Sequence, residues 1–475
     1  MMNYYNLLSF KVMYEMTRNI MNISYILSMV GFEHIKYWAL NRDHYRLVVN
    51  IADKISRFNI IYVKLFQGIC NNSRILSKEE QAYLLKFTDN VPFSDGEVDY
   101  ELLNYIGDKY PEIEIDLKPI NSGVCAIVYK GKYTYQKEHL GEGDDSGERK
   151  DICVKILKKG IRERVDSAIG DLKLLFWMFD YIPYLRDINL SSLLNNNKQM
   201  FIDQMDFTME AAAQTLFREK YSEVDWLKIP EIIRLGDGSG LYQDRMICME
   251  YVEGMKLSSL TSEDKTHFSR LLYRLALSSA LFYNAIHADL HSGNMLFVKE
   301  VDVNVNDDKD KDKDIGTESG YKYRYRLVIL DFGLCIFPSA DNQALLYTLL
   351  KDMFVKKSIA FESLINNVMV APLSPRMCID SLVRDMSVSL KNRIISEINR
   401  EFQTHMLNNY FGPDSIINMN IVLRKYGLQY SPEADKLFLS IAVAGETGKS
   451  LSPDWIDIMG DELKKFQKIY EMFEF

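Results

Sequence analysis

Two polar motifs, each joined to a short apolar run, constrain the fold of this chain more than any other feature. The first is His-Ala-Asp at 287–289, with Asn294 five residues beyond the aspartate and the apolar run 295–298 directly after it. The second is Asp-Phe-Gly at 331–333, which directly follows the apolar run 327–330. Carboxylate and amide oxygens are the hard ligands that Mg²⁺ takes in proteins. We therefore expect the asparagine and the second aspartate to hold a magnesium ion.

The spacing of these residues indicates phosphoryl transfer. That reaction needs a carboxylate near the incoming hydroxyl and oxygen ligands that hold Mg²⁺ against the phosphates. Asp289 would position the acceptor, while Asn294 and Asp331 would bind the metal. An Asp-x-x-x-x-Asn loop followed by Asp-Phe-Gly is the arrangement of the protein-kinase catalytic segment, with His-Ala-Asp here in place of the usual His-Arg-Asp.

Three other interpretations are weaker. The motifs could be an ordinary turn and a chance tripeptide, although their order and their flanking strands argue against coincidence. His287 and His291 have the spacing of a helical zinc pair, but that pair requires Glu after the first His, where Ala288 stands. Residues 444–450 end in Gly-Lys-Ser like a phosphate-binding loop, but that motif requires glycine where Val443 stands, and we reject it.

The composition predicts a globular protein with a sizeable core. The 475 residues are 47% hydrophobic and 26% charged, enough for two or three packed units. The net charge of −9 argues against a nucleic-acid partner. The six cysteines are scattered without a Cys-x-x-Cys pair, which predicts an intracellular reducing compartment and no structural zinc.

Membrane and targeting signals are weak. No apolar run approaches the roughly 18 residues of a transmembrane helix, so we expect none, which is compatible with peripheral membrane contact. The first thirty residues contain few acids, but Lys11 and Arg18 are their only basic residues. A mitochondrial presequence therefore has little support.

Residues 1–114 are expected to form a helical N-terminal extension, because apolar residues recur there at three- and four-residue spacing. Ser77 would cap one of its helices, with Glu80 at the capping-box position. The segment 62–67, Tyr-Val-Lys-Leu-Phe-Gln, has the pattern of an amphipathic helix with a solvated lysine.

Residues 115–255 change to short strands, typical of the smaller lobe of a kinase-like fold. Asn121, Ser122 and Gly123 form a small-residue turn before a β-rich run that includes Val128. A strand–turn–strand unit over nucleotide phosphates would have this form, with backbone N–H groups contacting the oxygens.

A charged residue interrupts the next buried strand. The run 151–157 places Lys155 between apolar neighbours, where a charge is costly unless it is paired. In a kinase this lysine contacts the phosphates and pairs with a helical glutamate, for which Glu210 is the candidate. The alternative is a lysine pointing outward from an edge strand. Glu250 and Val252 lie where a further strand runs into a connector, the place at which adenine would bind.

Residues 256–475 are expected to form a mainly helical second lobe. One interruption, at about 301–321, contains the mixed-charge run 307–314. Such a composition cannot form a buried core, so we expect a disordered surface insertion between the two catalytic strands.

These motifs resemble the atypical kinase family that includes bacterial UbiB and the eukaryotic ADCK proteins, over about residues 55–460. The segment 287–294, His-Ala-Asp-Leu-His-Ser-Gly-Asn, is similar to the family's His-Ala-Asp-x-His-Pro-Gly-Asn. Lys64 and Gln67 match the ends of the family's Lys-x-Gly-Gln signature, with Phe66 in place of glycine.

Other positions extend the resemblance. Gln204 and Asp206 stand where the family has Glu-x-Asp, so that one acid is replaced by an amide. Lys155 matches the family's nucleotide lysine and Glu210 its helical glutamate, while Asn-Ser-Gly replaces an alanine-rich phosphate loop.

The resemblance implies an α+β, protein-kinase-like two-lobed fold whose helical N-terminal extension packs over the active site. In relatives the Lys-x-Gly-Gln lysine reaches the Glu-x-Asp acids and obstructs protein substrates, so Lys64, Gln67, Gln204 and Asp206 are expected to form a gate. The resemblance further implies ATP and Mg²⁺ as cofactors and a small-molecule or lipid-related acceptor. Cellular relatives support coenzyme Q and isoprenoid-lipid metabolism.

The leading hypothesis is an ATP-dependent phosphotransferase or ATPase. One alternative is a nucleotide-binding scaffold that transfers nothing. Another is an aminoglycoside- or choline-kinase-like enzyme, which shares the His-x-Asp-x-x-x-x-Asn loop. The Lys-x-Gly-Gln-like segment and Asp-Phe-Gly argue against that second alternative.

Overall fold

The chain divides into two compact units. Met1–Met209 and Ile232–Glu250 form the first unit, and Glu210–Glu231 and Tyr251–Phe475 form the second. The computed structural model describes residues 2–40, 43–59, 61–62, 77, 79–80, 83, 91–135, 148–181, 194, 202–235, 237–301, 315–318, 321–337, 343–366, 368–373, 377–407 and 413–472.

Helices and one antiparallel sheet build the first unit. Its helices are α1 (Met2–Ala39), α2 (His44–Phe58), α3 (Tyr100–Lys109), α4 (Ile161–Phe179) and the start of α5 (Phe207–Lys220). Its strands, numbered in chain order, are β1 (Ile113–Ser122), β2 (Ala126–Tyr135), β3 (Glu148–Leu157), β5 (Tyr242–Gln243) and β6 (Met246–Glu250).

The five strands lie in the order β1-β2-β3-β6-β5, which makes β3 the central strand. Alternate residues of β3 face the core, so Ile152, Val154 and Ile156 are fully buried. Together with Ile127 and Tyr129 of β2 they form the apolar layer that holds the sheet together.

A buried carboxylate fastens α1 to α4. Asp171 of α4 accepts hydrogen bonds from Asn22 of α1 at 3.1 Å and from the Tyr62 hydroxyl at 3.1 Å. The helices approach closely beside it, because a Cβ at Gly170 would lie 2.7 Å from the side-chain nitrogen of Asn19. Burial raises the pKa of Asp171, and the two hydrogen bonds oppose that rise.

The expected capping box is confirmed. The Glu80 backbone N–H donates to the Ser77 hydroxyl at 3.3 Å, and the Ser77 N–H donates to the Glu80 carboxylate at 2.7 Å.

Helices dominate the second unit. They are the remainder of α5, α6 (Ser262–Leu281), α7 (Gln343–Lys351), α8 (Phe361–Leu364), α9 (Ile379–Asp385), α10 (Val388–Leu407), α11 (Pro413–Lys425), α12 (Pro432–Leu451) and α13 (Trp455–Met472). The strands are β4 (Leu227–Lys228), β7 (Ile286–His287), β8 (Met295–Val301), β9 (Ile315–Glu318), β10 (Tyr321–Ile329), β11 (Cys335–Ile336), β12 (Val370–Pro372) and β13 (Leu428–Tyr430). The expected α+β class is confirmed.

Strand β10 is the central strand of the larger sheet in the second unit. It pairs antiparallel with β8 and parallel with β4, and β9 pairs with its beginning. The buried helix α6 packs on this sheet through Phe268, which contacts Phe297 of β8 and Tyr325 of β10.

The expectation of a disordered insertion is wrong for 315–318. These residues form β9, which pairs with β10 from Ile315 opposite Arg324 to Glu318 opposite Tyr321. The β-branched residues Ile315 and Thr317 suit a strand, and the pairing satisfies their backbone groups. Residues 302–314, which contain the mixed-charge run, lie outside the described part of the chain.

The rejection of a phosphate-binding loop at 444–450 is confirmed. The whole segment lies inside α12, where backbone N–H groups bond within the helix. Gly448 has a packing role, because a Cβ there would overlap the Tyr273 side chain. Among the described residues, no helix is long and apolar enough to cross a membrane.

Candidate functional site

Strand pairing in the second unit brings Asn294 and Asp331 together. Met295 at the start of β8 is the partner of Ile329 at the end of β10. One step further, the Leu330 N–H donates to the Asn294 carbonyl at 2.9 Å. The two proposed metal ligands therefore stand at the same end of adjacent strands.

The buried side chain of His287 links the loop that carries Asp289 to the backbone of Asp331. The Nε2–H of His287 donates to the Asp331 carbonyl, and its Nδ1 accepts from the Asp289 N–H at 3.2 Å. Burial lowers the pKa of His287, which favours the neutral imidazole that this bonding requires. Because both ring nitrogens bond to backbone, His287 is not placed as a zinc ligand.

Asn294 is oriented by the proposed catalytic aspartate. Its side-chain nitrogen donates to the Asp289 carbonyl at 3.0 Å and to the Asp289 carboxylate at 3.3 Å. This arrangement directs the amide nitrogen toward the loop and leaves the amide oxygen as the group suited to a cation. One Asp331 oxygen accepts the Gly333 N–H at 2.9 Å, which fixes the orientation of that carboxylate.

The Glu210 side chain is hydrogen-bonded directly to the backbone of the Asp-Phe-Gly segment. The side chain is only 3% exposed, and its carboxylate accepts the Phe332 N–H at 3.4 Å. Phe332 is itself buried against Phe217 of α5 and the His287 ring. Helix α5 therefore holds the backbone next to Asp331 in place.

Cys335 was not singled out from the sequence, yet it lies among the site's acids. Burial raises the pKa of its thiol well above the usual value, and the charges of Asp331, Glu210 and Asp289 raise it further. These three carboxylates consequently act on one small region. A scattered cysteine carries no local sequence signal that could have revealed this.

The donor set suits Mg²⁺ better than a softer ion. Among the described residues, no group of three or more His, Cys, Asp or Glu side chains is arranged to hold a metal ion. Mg²⁺ usually takes one or two protein oxygens and completes its shell with phosphates and water. One carboxylate from Asp331 and one amide oxygen from Asn294 meet that requirement.

Two hydroxyl groups of helix α12 donate hydrogen bonds to the loop that carries Asp289. The Ser440 hydroxyl donates to the His287 carbonyl at 3.0 Å, and the Thr447 hydroxyl donates to the Leu290 carbonyl at 2.8 Å. Both side chains are buried. They lie seven residues apart, two helical turns, so they share one face of α12. Sequence reasoning missed both residues.

In the first unit, Lys155 lies on the central strand. It is the pairing partner of Val128 on β2, and its side chain is half-buried. Its Nζ lies 5.1 Å from the centre of the Phe207 ring. The edge-strand interpretation is therefore wrong, and the proposed paired, functional lysine stays a prediction.

Asn121 and Ser122 end β1, and Gly123 begins the connection to β2. Two backbone N–H groups of these three residues are already bonded. The Ser122 N–H donates to the Asn121 side chain at 2.8 Å, and the Gly123 N–H donates to the Ala126 carbonyl at 2.9 Å. Ser122 is also fully buried. Its contact with phosphate stays a prediction.

The candidate residues for adenine binding and for the gate lie in several parts of the chain. Glu250 ends β6, and Val252 lies in the irregular segment that follows, within the second unit. Gln204 is half-buried, whereas the Asp206 carboxylate accepts the Thr208 N–H at 2.9 Å and so caps α5. Lys64 and Gln67 lie outside the described residues, so the gate stays a prediction.

Comparison with known proteins gives a family match. The model of the ABC1 atypical kinase-like domain matches residues 107–361, more than half of the 475-residue chain. The ABC1 family protein MCP2 homolog of Schizosaccharomyces pombe is 23% identical over 278 residues, covering 57% of this chain and 46% of the relative. The probable protein kinase UbiB of Actinobacillus pleuropneumoniae is 20% identical over 277 residues, covering 54% and 47%. The chain thus spans about half the length of these relatives.

One solved structure is similar over a larger share of the chain. The complex of Rv3197 with erythromycin from Mycobacterium tuberculosis matches 84% of this chain and 90% of its own. The sequence identity is 16% and the TM-score is 0.46.

Proposed function

Because the chain belongs to the ABC1 atypical kinase-like family, we propose that it binds ATP with Mg²⁺ and acts as an ATPase or as a phosphotransferase. The acceptor would be a small molecule or a lipid-related compound. The expected resemblance to UbiB proteins and the expected kinase-like class are confirmed by the family match. The nucleotide, the metal and the reaction are our proposal.

One observation carries the proposal. The Asn294 side chain donates to Asp289, and the N–H of Leu330, the residue before Asp331, donates to the Asn294 carbonyl, so the three residues lie together at one end of β8 and β10. Two carboxylates and an amide so arranged can divide the work of phosphoryl transfer between metal binding and acceptor positioning.

Each residue has a distinct proposed role. The Asn294 amide oxygen and the Asp331 carboxylate bind Mg²⁺, which when bound neutralises charge on the phosphates. Asp289 accepts a hydrogen bond from the incoming hydroxyl or water and orients it for attack. Glu210 keeps the Asp-Phe-Gly backbone in register through the Phe332 N–H. Lys155 contacts phosphate oxygens, and its pairing with Glu210 stays a prediction, since the two residues belong to different compact units.

A thermal-shift measurement tests the metal site. ATP with Mg²⁺ should stabilise the wild-type protein, because a ligand that binds only the folded state raises the unfolding free energy. Asp331→Asn should lose the Mg²⁺-dependent part of this shift. Asp385→Asn, at an exposed carboxylate on α9, is the matched control and should keep it. An undiminished shift in Asp331→Asn would refute the assignment.

A turnover measurement separates an enzyme from a nucleotide-binding scaffold. Asp289→Asn should keep Mg²⁺–ATP binding while ATP turnover falls about 10²–10⁴-fold, the range for loss of a general base. A wild-type protein that binds Mg²⁺–ATP but hydrolyses none, with and without lipid, would be a scaffold.

A further inference from the structure

The long helix α1 exposes a continuous apolar face. From residue 13 to residue 38 the exposed side chains include no Asp, Glu, Lys or Arg. Side chains on this face recur at three- and four-residue spacing, so they form one stripe along the helix. Its large apolar members are Met13, Tyr14, Met16, Ile20, Met21, Tyr25, Leu27, Phe32, Ile35 and Trp38.

The opposite face of α1 is already used within the first unit. Ile23 and Met29 are buried there, and Asn22 donates to Asp171 of α4. Glu33 is buried and pairs with Lys54 of α2 and with Lys36. The contacts with α2 and α4 therefore account for one side of the helix, and the described part of the chain leaves the apolar stripe exposed.

The stripe is larger than a soluble monomer normally exposes. It runs for roughly 40 Å, at about 1.5 Å for each residue. Its ten large side chains are each about half exposed or more, with Trp38 79% exposed, and together present on the order of 1,000 Å². The largest apolar patch on a typical monomer is about 300–600 Å², whereas a stable interface takes about 800 Å² from each partner.

We propose that this stripe pairs with the same stripe of a second copy of the chain, forming a homodimer through α1. The middle of the stripe is made of small exposed residues, Ser24, Ser28 and Gly31, and a Cβ at Gly31 would meet no atom within 4 Å. Small residues allow two helix backbones to approach closely, while the large side chains at either end pack around the crossing. The proposal does not depend on the proposed catalytic function.

Charge favours a second copy over a lipid surface. A helix that lies on a membrane usually carries many Lys and Arg on its polar face. Here Lys36 and Lys54 share the single carboxylate of Glu33, which leaves only one net positive charge among the three groups, and the chain has a net charge of −9. Since the stripe is itself uncharged, two copies can face each other across a twofold axis without repulsion between like charges.

Light scattering coupled to size-exclusion chromatography tests the proposal on the full chain. The wild-type protein should have the mass of a dimer at micromolar concentration. Met21→Glu with Ile35→Glu should shift the mass to that of a monomer, since each carboxylate would have to be buried in the interface. Both positions are exposed, so the circular dichroism and melting temperature of the monomer should change little. Val388→Glu, at a 74% exposed apolar residue of α10, is the control and should stay dimeric.

Three outcomes would overturn the proposal. They are a wild-type monomer at all concentrations, a dimer that persists in the double variant, and a wild-type monomer that floats with neutral phosphatidylcholine vesicles through this stripe. Trp38→Ala, a milder change on the same stripe, provides an independent test in case the double variant misfolds. It should raise the dimer dissociation constant at least about tenfold, the effect typical of an interface hot spot.

Discussion

Lys158 places an amine in the interior of the first unit. Its side chain is 2% exposed, and among the described residues its Nζ has no hydrogen-bond partner. The centre of the Phe93 ring lies 5.7 Å from this Nζ. Burial lowers the pKa of Lys158 to about 8, against a partial opposing effect of Glu97. At neutral pH the folded protein therefore carries a charge that its surroundings hardly compensate.

We predict that Lys158→Met stabilises the protein at pH 7 by roughly 1–3 kcal/mol, because an apolar side chain removes the cost of burying the ammonium. Urea unfolding of both proteins measures this. The exposed neighbour Lys159 provides the control, and Lys159→Met should change the unfolding free energy by less than about 0.5 kcal/mol. A less stable Lys158→Met protein at pH 7 would show that the ammonium has a partner.

The same residue predicts a pH dependence with a definite sign. The folded-state pKa of Lys158, about 8, lies below the usual 10.5. Between these values the unfolded chain binds more protons, so this lysine adds stability as pH rises from 8 toward 10.5. The advantage of Lys158→Met should therefore shrink between pH 7 and pH 10. An advantage that is constant with pH would contradict this assignment.

At the scale of elements, α12 supports the loop that carries Asp289. Ser440 and Thr447 donate to the carbonyls of His287 and Leu290, on either side of that aspartate. A buried carbonyl that loses its donor costs about 1–3 kcal/mol. More importantly, a loop freed at one end can move, and small displacements of a catalytic group reduce the rate strongly.

We predict that Thr447→Val lowers ATP turnover on the order of tenfold, with a much smaller change in the KM for ATP. Thr447→Ser keeps the hydroxyl and should restore the turnover. Ser450→Ala is a matched control on the same helix, because the Ser450 hydroxyl bonds the carbonyl of Thr447 within α12. An undiminished turnover in Thr447→Val, or a loss in Thr447→Ser as large as that in Thr447→Val, would show that the hydroxyl bond to Leu290 does not set the position of the loop.

Across the whole molecule, the sequence predicted those site residues that a short local pattern marks. Asp289, Asn294 and Asp331 were found because each adjoins a short apolar strand, and antiparallel pairing of two such strands brings their ends together. Ser440 and Thr447 could not be found this way. Each contacts a carbonyl more than 150 residues away in the chain. No local sequence pattern distinguishes a helix hydroxyl that makes such a contact from one that does not.

One error came from giving a neighbouring pattern more weight than the local one. The segment 315–318 was assigned to disorder because it adjoins a mixed-charge run, although its alternating β-branched residues suit a strand. Asp206, assigned to a gate by resemblance, also caps α5 through its bonds to Thr208, and its part in a gate stays a prediction.

The charged run between the strands offers a test at the scale of the molecule. Replacing residues 302–314 with an equal number of Gly and Ser residues should leave the melting temperature and the ATP turnover unchanged. The connection keeps its length, so the entropy of closing it stays similar, and β8 remains held by seven paired positions on β10. The same replacement of 315–318 should lower the melting temperature, because it weakens the pairing of β9 with β10. Loss of turnover on replacing 302–314 alone would instead place the charged run among the groups that bind substrate.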